Sequence, residues 1–133
     1  MPISDQLDKA ETYAKQAASL AESAKKPDNL TEAQWQEQIS TQKGLSFSAL
    51  GQVNLHRKQN AQAVVNLSKA APLLKANSAL YARNEYRLGF AYLNLKKDAD
   101  AAKAFKEAAS VDSPYKAAAQ QKLAELGSAK KTS

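Results

Sequence analysis

The stretch 50–70 returns, displaced by 38 positions, as 88–108, and this internal echo constrains the fold more than any single residue does. Leu50-Gly51 recurs as Leu88-Gly89, Asn54-Leu55 as Tyr92-Leu93, Lys58 as Lys96, and Asn60-Ala61 as Asp98-Ala99. Further on, Ala63 recurs as Ala101, Leu67 as Phe105, and Ala70-Ala71 as Ala108-Ala109. Self-similarity at such a period marks a helical repeat: one unit cannot bury its apolar face alone and stacks on its neighbours. Binding a partner along the stacked surface is the default function of such a chain.

Strand signals are absent, and alanine, lysine, glutamine, glutamate and leucine abound beside only four glycines and four prolines. Breaks at 26–30, 58–60, 76–78, 96–98 and 111–114 divide the chain into six helices on short connections, so neighbours should run antiparallel. The first is expected over 4–25, capped by Ser4, with Ala10, Ala14, Ala17, Ala18, Ala21 and Ala24 on a small-residue face that Tyr13 and Trp35 clamp to helix 2. The second follows Thr31, which has capping-box spacing to Gln34, and is expected to continue through Gly44 towards His56. The third passes through Ala63, Leu67, Ala70 and Leu74; the fourth, capped by Ser78, carries Tyr81, Leu88, Ala91 and Tyr92; the fifth starts at Asp98 and buries Ala101, Phe105 and Ala108. The sixth is expected to use Ser113 as N-cap and Pro114 as its first residue, to bury Ala118, Leu123 and Leu126 at most, and to stop at Gly127. Its other face is polar, as befits a cap on the stack.

The fold class expected is therefore all-α, a right-handed α-α superhelix of about six antiparallel helices. Residues 1–127 form one domain, with a helical extension at 1–43, a degenerate repeat at 44–77, a clear repeat at 82–114 and a capping helix at 115–127. Residues 128–133 read as a flexible basic tail.

At 133 residues the chain is long enough to bury about two-thirds of its unfolded surface without a staple. It has no cysteine, hence no disulfide and no thiolate metal site. No stretch reaches the roughly 20 apolar residues of a spanning helix, and the first twenty residues lack the pattern of a signal peptide. No membrane insertion is expected; the compartment stays open, cytoplasmic as the chain stands or periplasmic had a leader been removed. A formal charge of +6 and a pI near 9.5 bring nucleic acid and acidic peptides into view. The basic residues are spread over every segment, which disfavours nucleic acid.

The residues at the 38-residue offset resemble the tetratricopeptide repeat (TPR), whose helix A carries Leu-Gly-x-x-Tyr and whose helix B carries Ala-x-x-x-Phe-x-x-Ala. The second copy matches with Leu88, Gly89, Tyr92, Ala101, Phe105 and Ala108, and Pro114 lies near where that family closes its repeat. The first matches with Leu50, Gly51 and Ala63, while Asn54 and Leu67 replace the aromatics. Gly51 and Gly89 are then expected where helix A crosses helix B closely, with Ala63 and Ala101 facing them. The family period of 34 leaves four extra residues to be placed in helix 3, its exit loop or the start of helix 4.

The resemblance implies a concave groove lined by helix A. Matched by position, its partner-binding residues are Ser48 and Gln52 from the first copy and Arg83, Tyr86, Arg87, Phe90 and Asn94 from the second. Arg83 and Arg87, one turn apart with Phe90 following, combine forked cations with an aromatic, a mixture suited to an acidic segment. The same arginines also suit a solvated face, with Arg83 paired to Glu85 or to Asp100 of a neighbouring helix. The lone histidine, His56, falls at a helix end beside Arg57 and Lys58, where positive charge offsets exposed carbonyls. With no phosphate loop, nucleophile elbow or zinc-protease pattern, no catalytic residue, no cofactor, no metal and no small-molecule substrate are expected. The reading is a non-enzymatic protein-interaction scaffold for a peptide or protein segment of acidic character. The alternatives are a self-associating homo-oligomer and weak nucleic-acid binding through the basic surface.

Overall fold

The computed structural model describes residues 3–132, the side chains of 128–132 excepted. They form six helices and no strand: α1 (Ile3–Ser23), α2 (Glu32–His56), α3 (Asn60–Leu74), α4 (Ser78–Asn94), α5 (Asp98–Ala109) and α6 (Lys116–Thr132). Packing passes from each helix to the next, and the one substantial contact that skips a helix joins α2 to α4.

Local chemistry sets the starts and stops. Thr31 and Gln34 form the full capping box expected of them, and α2 continues through Gly44 without a break. For α4 the cap is Asn77, not Ser78: the Asn77 side chain accepts from the Leu80 N–H at 3.1 Å and Ser78 is the first helical residue. Ser113 Oγ accepts from the Tyr115 N–H at 3.1 Å, so Pro114 lies in a turn ahead of α6 instead of inside it.

The two inter-helix hairpins are copies of each other. Lys58 (φ 61°) and Lys96 (φ 62°) both adopt the left-handed conformation, and the next N–H reaches back to a carbonyl five residues earlier, Gln59 to Asn54 at 2.8 Å and Lys97 to Tyr92 at 2.9 Å. This is the Schellman closure, usually built on glycine because a Cβ is unfavourable there.

Between the hairpins the helices approach closely at glycine. A Cβ on Gly51 would stand 2.5 Å from Leu67, one on Gly89 2.5 Å from the Phe105 ring, and one on Gly44 2.7 Å from Leu74. The pairs Gly44/Leu74 and Gly51/Leu67 run in opposite directions along α2 and α3, which are therefore antiparallel. The bulky residues meet the glycines directly; Ala63 and Ala101, expected to face them, are fully buried elsewhere in the core. At 15 residues against 12, α3 is longer than α5, and that is where much of the long period is taken up.

One expectation at the C-terminal end is corrected. Gly127 does not stop the last helix: α6 carries on to Thr132, through the stretch read as a tail. Its bounds are those of α4 displaced by 38 positions, and Leu126-Gly127 is a third copy of Leu50-Gly51 and Leu88-Gly89. The residue α6 buries fully is Ala119, with Ala118, Leu123 and Leu126 half-buried.

At the other end, α1 is pinned to the α2 C-terminus by Arg57, whose fork holds Asp8 and, at 2.8 Å, Glu11. Trp35 faces α1 across a cleft, but Tyr13 is 66% exposed and clamps nothing.

Candidate functional site

Asn84 sets the rotation of α4. It is fully buried and donates to the Leu67 carbonyl of α3 at 2.9 Å. Residues at i and i+4 share a helix face, so fixing Asn84 against α3 turns Arg83 and Arg87 towards α2. There they meet Gln52, Leu55 and His56 from α2, Tyr86, Phe90 and Asn94 from α4, and Tyr115 ahead of α6, around a cavity of about 450 Å³.

Six of the seven residues expected to bind a partner thus line one pocket: Gln52, Arg83, Tyr86, Arg87, Phe90 and Asn94. Ser48 is placed differently. It is buried behind the wall, where its Oγ accepts from Arg87 Nη1 at 3.1 Å; it positions the guanidinium and is not itself open to a ligand.

The polar groups of the pocket are held from behind. Gln52 donates to His56 Nε2 at 3.0 Å, and Asn94 Nδ2 donates to Asn60 Oδ1 at 3.1 Å. The apolar wall is an aromatic cluster. Tyr86 meets Phe90 edge-on at 5.0 Å between ring centres, Phe105 at 5.6 Å and Tyr115 at 5.7 Å. Phe90 also stands perpendicular to Phe105 at 5.6 Å, and Lys122 Nζ lies 5.2 Å from its ring centre. Phe90 is therefore both core edge and pocket wall. Tyr115, read from the sequence as an anchor for the last helix, is a wall residue as well. Its place in a loop two helices away left no periodic signal to find it by.

The electrostatics are lopsided. Among the described residues no carboxylate pairs with Arg83 or Arg87; neither Glu85 nor Asp100 reaches them. Arg83 Nε is buried and has no hydrogen-bond partner. Burial pushes the Arg87 guanidinium down to about 10, Arg83 adding to the effect and Tyr115 opposing it. It remains a cation at neutral pH, held among neutral acceptors.

The opposite side of α4 shows the reverse. Glu85 is 5% exposed and its carboxyl is raised to about 7, chiefly by burial and then by Glu107 on α5, with Asn84 and Lys75 pulling it back. Tyr81 donates to Glu107 at 2.9 Å, and burial together with that bond raises its phenol.

A larger cavity of about 650 Å³ lies between α1 and α2, lined by Ala17, Leu20, Ala21, Trp35 and Ile39 among others. It offers apolar surface without converging charges. No group of three or more metal-ligating side chains occurs among the described residues, and no helix there is long and apolar enough to cross a membrane. Comparison with protein-family models, with curated proteins and with solved structures returns no match. What the pocket takes has to be argued from its own atoms.

Proposed function

We propose that this chain is a non-enzymatic protein-interaction module of the tetratricopeptide kind, its helices stacked as a right-handed superhelix, and that the pocket between α2 and α4 takes an acidic side chain or terminus of a partner segment. The observation that carries the reading is the pair Arg83 and Arg87, two guanidiniums in one cavity with no carboxylate among the described residues to answer them. Desolvated cations without a counter-charge are costly, and an anion arriving from outside restores the balance. The aromatic wall of Tyr86, Phe90 and Tyr115 supplies apolar area next to the charge, the combination found at binding hot spots. The repetition of the hairpin and of the glycine contact in α2–α3 and α4–α5 supports the stacked-repeat assignment.

The test is affinity capture from a source lysate at two salt concentrations, comparing the wild type with the double variant Arg83→Gln, Arg87→Gln, whose helical content is checked by circular dichroism. Charged hydrogen bonds contribute about 1.5 to 3 kcal/mol each. Captured proteins should therefore fall off by roughly 10-fold or more in the variant. Retention of the same proteins by both forms sinks the reading. Nucleic acid on both forms, released by salt, would instead favour the basic-surface alternative.

A further inference from the structure

We propose that copies of this chain assemble head to tail, α1 of one copy packing onto the open face of α6 of the next. The starting point is the third Leu-Gly pair. On α4, Ala82 and Gly89 are buried, and Gly89 receives Phe105 from the helix that follows. Their counterparts on α6, displaced by 38 positions, are Gln120 and Gly127, and both are exposed. Outside its own helix, no described atom lies within 4 Å of where a Gly127 Cβ would stand. The glycines of the first two Leu-Gly pairs are each covered by a bulky residue of a neighbouring helix; at the third no described residue takes that place.

The other end of the stack carries the matching excess. Three of the four exposed large apolar residues, Ile3 (65%), Tyr13 (66%) and Leu20 (68%), lie on α1. Ile3, Ala10 and Tyr13, all exposed, fall at heptad spacing and form one outward stripe, while Leu20 sits at the rim of the cavity between α1 and α2. Each end helix has a single substantial neighbour, α2 for α1 and α5 for α6. In the zigzag order α1 occupies the place of α3 and α5, the helices whose side chains fill the glycine sites.

Charge selects α6 as the occupant instead of a second α1. The α1 helix carries Asp5, Asp8, Glu11 and Glu22 against Lys9 and Lys15, an acidic excess that survives even with Arg57 paired to Asp8 and Glu11. Up to Gly127 the α6 helix carries Lys116 and Lys122 against Glu125, and Lys130 and Lys131 follow in the sequence. Two α1 helices face to face would set like charges together, while α1 on α6 sets acidic against basic. Size agrees: the bulky side chains of α1 meet Ala117, Ala124 and Gly127, all exposed and small. Such a contact joins two different surfaces, so it extends to a row or ring of copies instead of stopping at a pair. A single helix-on-helix contact falls below the roughly 1,200 Å² of stable interfaces, so association belongs to high concentration.

The experiment is sedimentation velocity from about 10 μM to about 1 mM on three forms: wild type, Gly127→Leu and Ile3→Glu/Tyr13→Glu. All the altered positions are exposed, so the monomer fold is undisturbed. The wild type is expected to rise above its 14.4 kDa mass without levelling off at two copies. Each variant alone should stay monomeric, because one of its ends is blocked. An equal mixture of the two variants should form a dimer and nothing larger, the intact α6 of one receiving the intact α1 of the other. A wild type that is monomeric throughout overturns the proposal. So does a dimer that levels off and persists in Gly127→Leu, which would mean an α1–α1 pair.

Discussion

The helices α4 and α6 are the same length, 17 residues each, and are related by the same 38-residue shift, yet they lead different lives. Helix α4 has neighbours all round: α3 and α5 bury Tyr81, Ala82, Asn84, Glu85, Leu88 and Gly89, and α2 closes the arginine pocket on the remaining side. Helix α6 leans on α5 and, among its described side chains, buries only Ala119 fully. The comparison teaches that a repeat register prescribes which face of a helix is available for packing, while the neighbour alone decides whether that face becomes core. It also explains why opposite charges on α4 ignore each other. Glu85 lies two residues from both Arg83 and Arg87, and side chains two apart on a helix point away from one another.

The sharpest break between the two helices is one substitution made twice. Gly89→Ala drives a methyl to 2.5 Å from the Phe105 ring, a stiff neighbour with a rigid aromatic cluster behind it. Destabilisation of about 2 to 3 kcal/mol is expected from such overpacking, read as a lowered urea midpoint. Gly127→Ala, at the equivalent place on α6, meets nothing and gains helix propensity, so it should stabilise by up to about 1 kcal/mol. That measurement belongs at concentrations where the chain is monomeric. Equal signs for the two substitutions would refute the different surroundings described here.

Between these two in size stands Glu85→Gln. Glu85 has its carboxyl raised to about 7 in the folded chain from an ordinary 4.5. The folded state therefore binds more protons than the unfolded state between those values, and stability falls as pH rises through that window. Above it, the buried carboxylate costs the fold about 3 kcal/mol by this route, of which the neutral but still polar glutamine recovers part. The glutamine variant should be more stable than wild type at pH 8 and close to it at pH 4, as followed by thermal melts across the range. At the same register of α6 stands Leu123, which carries no ionisable group.

Much of this architecture was legible beforehand because repeats announce their period. The echo from Leu50 to Ala109 placed α2 to α5, the Thr31 capping box marked the start of α2, and helical spacing put Arg83, Arg87 and Phe90 on one surface. Where the reading missed, the local signal was ambiguous. A glycine late in a helix pattern reads as a stop, yet α6 runs on through Gly127, which stands 38 positions after Gly89. Serine and asparagine are both good caps, and adjacent at 77 and 78 they differ only in which side chain reaches Leu80. Tyr13 looked like an anchor because alanine-rich helices need one, but it faces outward.

By itself, then, the sequence determined the number of helices, their period and the face each offers, because those follow from local propensity and spacing along a single chain. Only the tertiary structure decided that Asn84 would turn α4 so that two arginines share a cavity, that Ser48 would hold one of them from behind, and that Gly127 would lie open. Burial and unmatched charge are properties of what surrounds a residue, and those surroundings come from segments far apart in sequence.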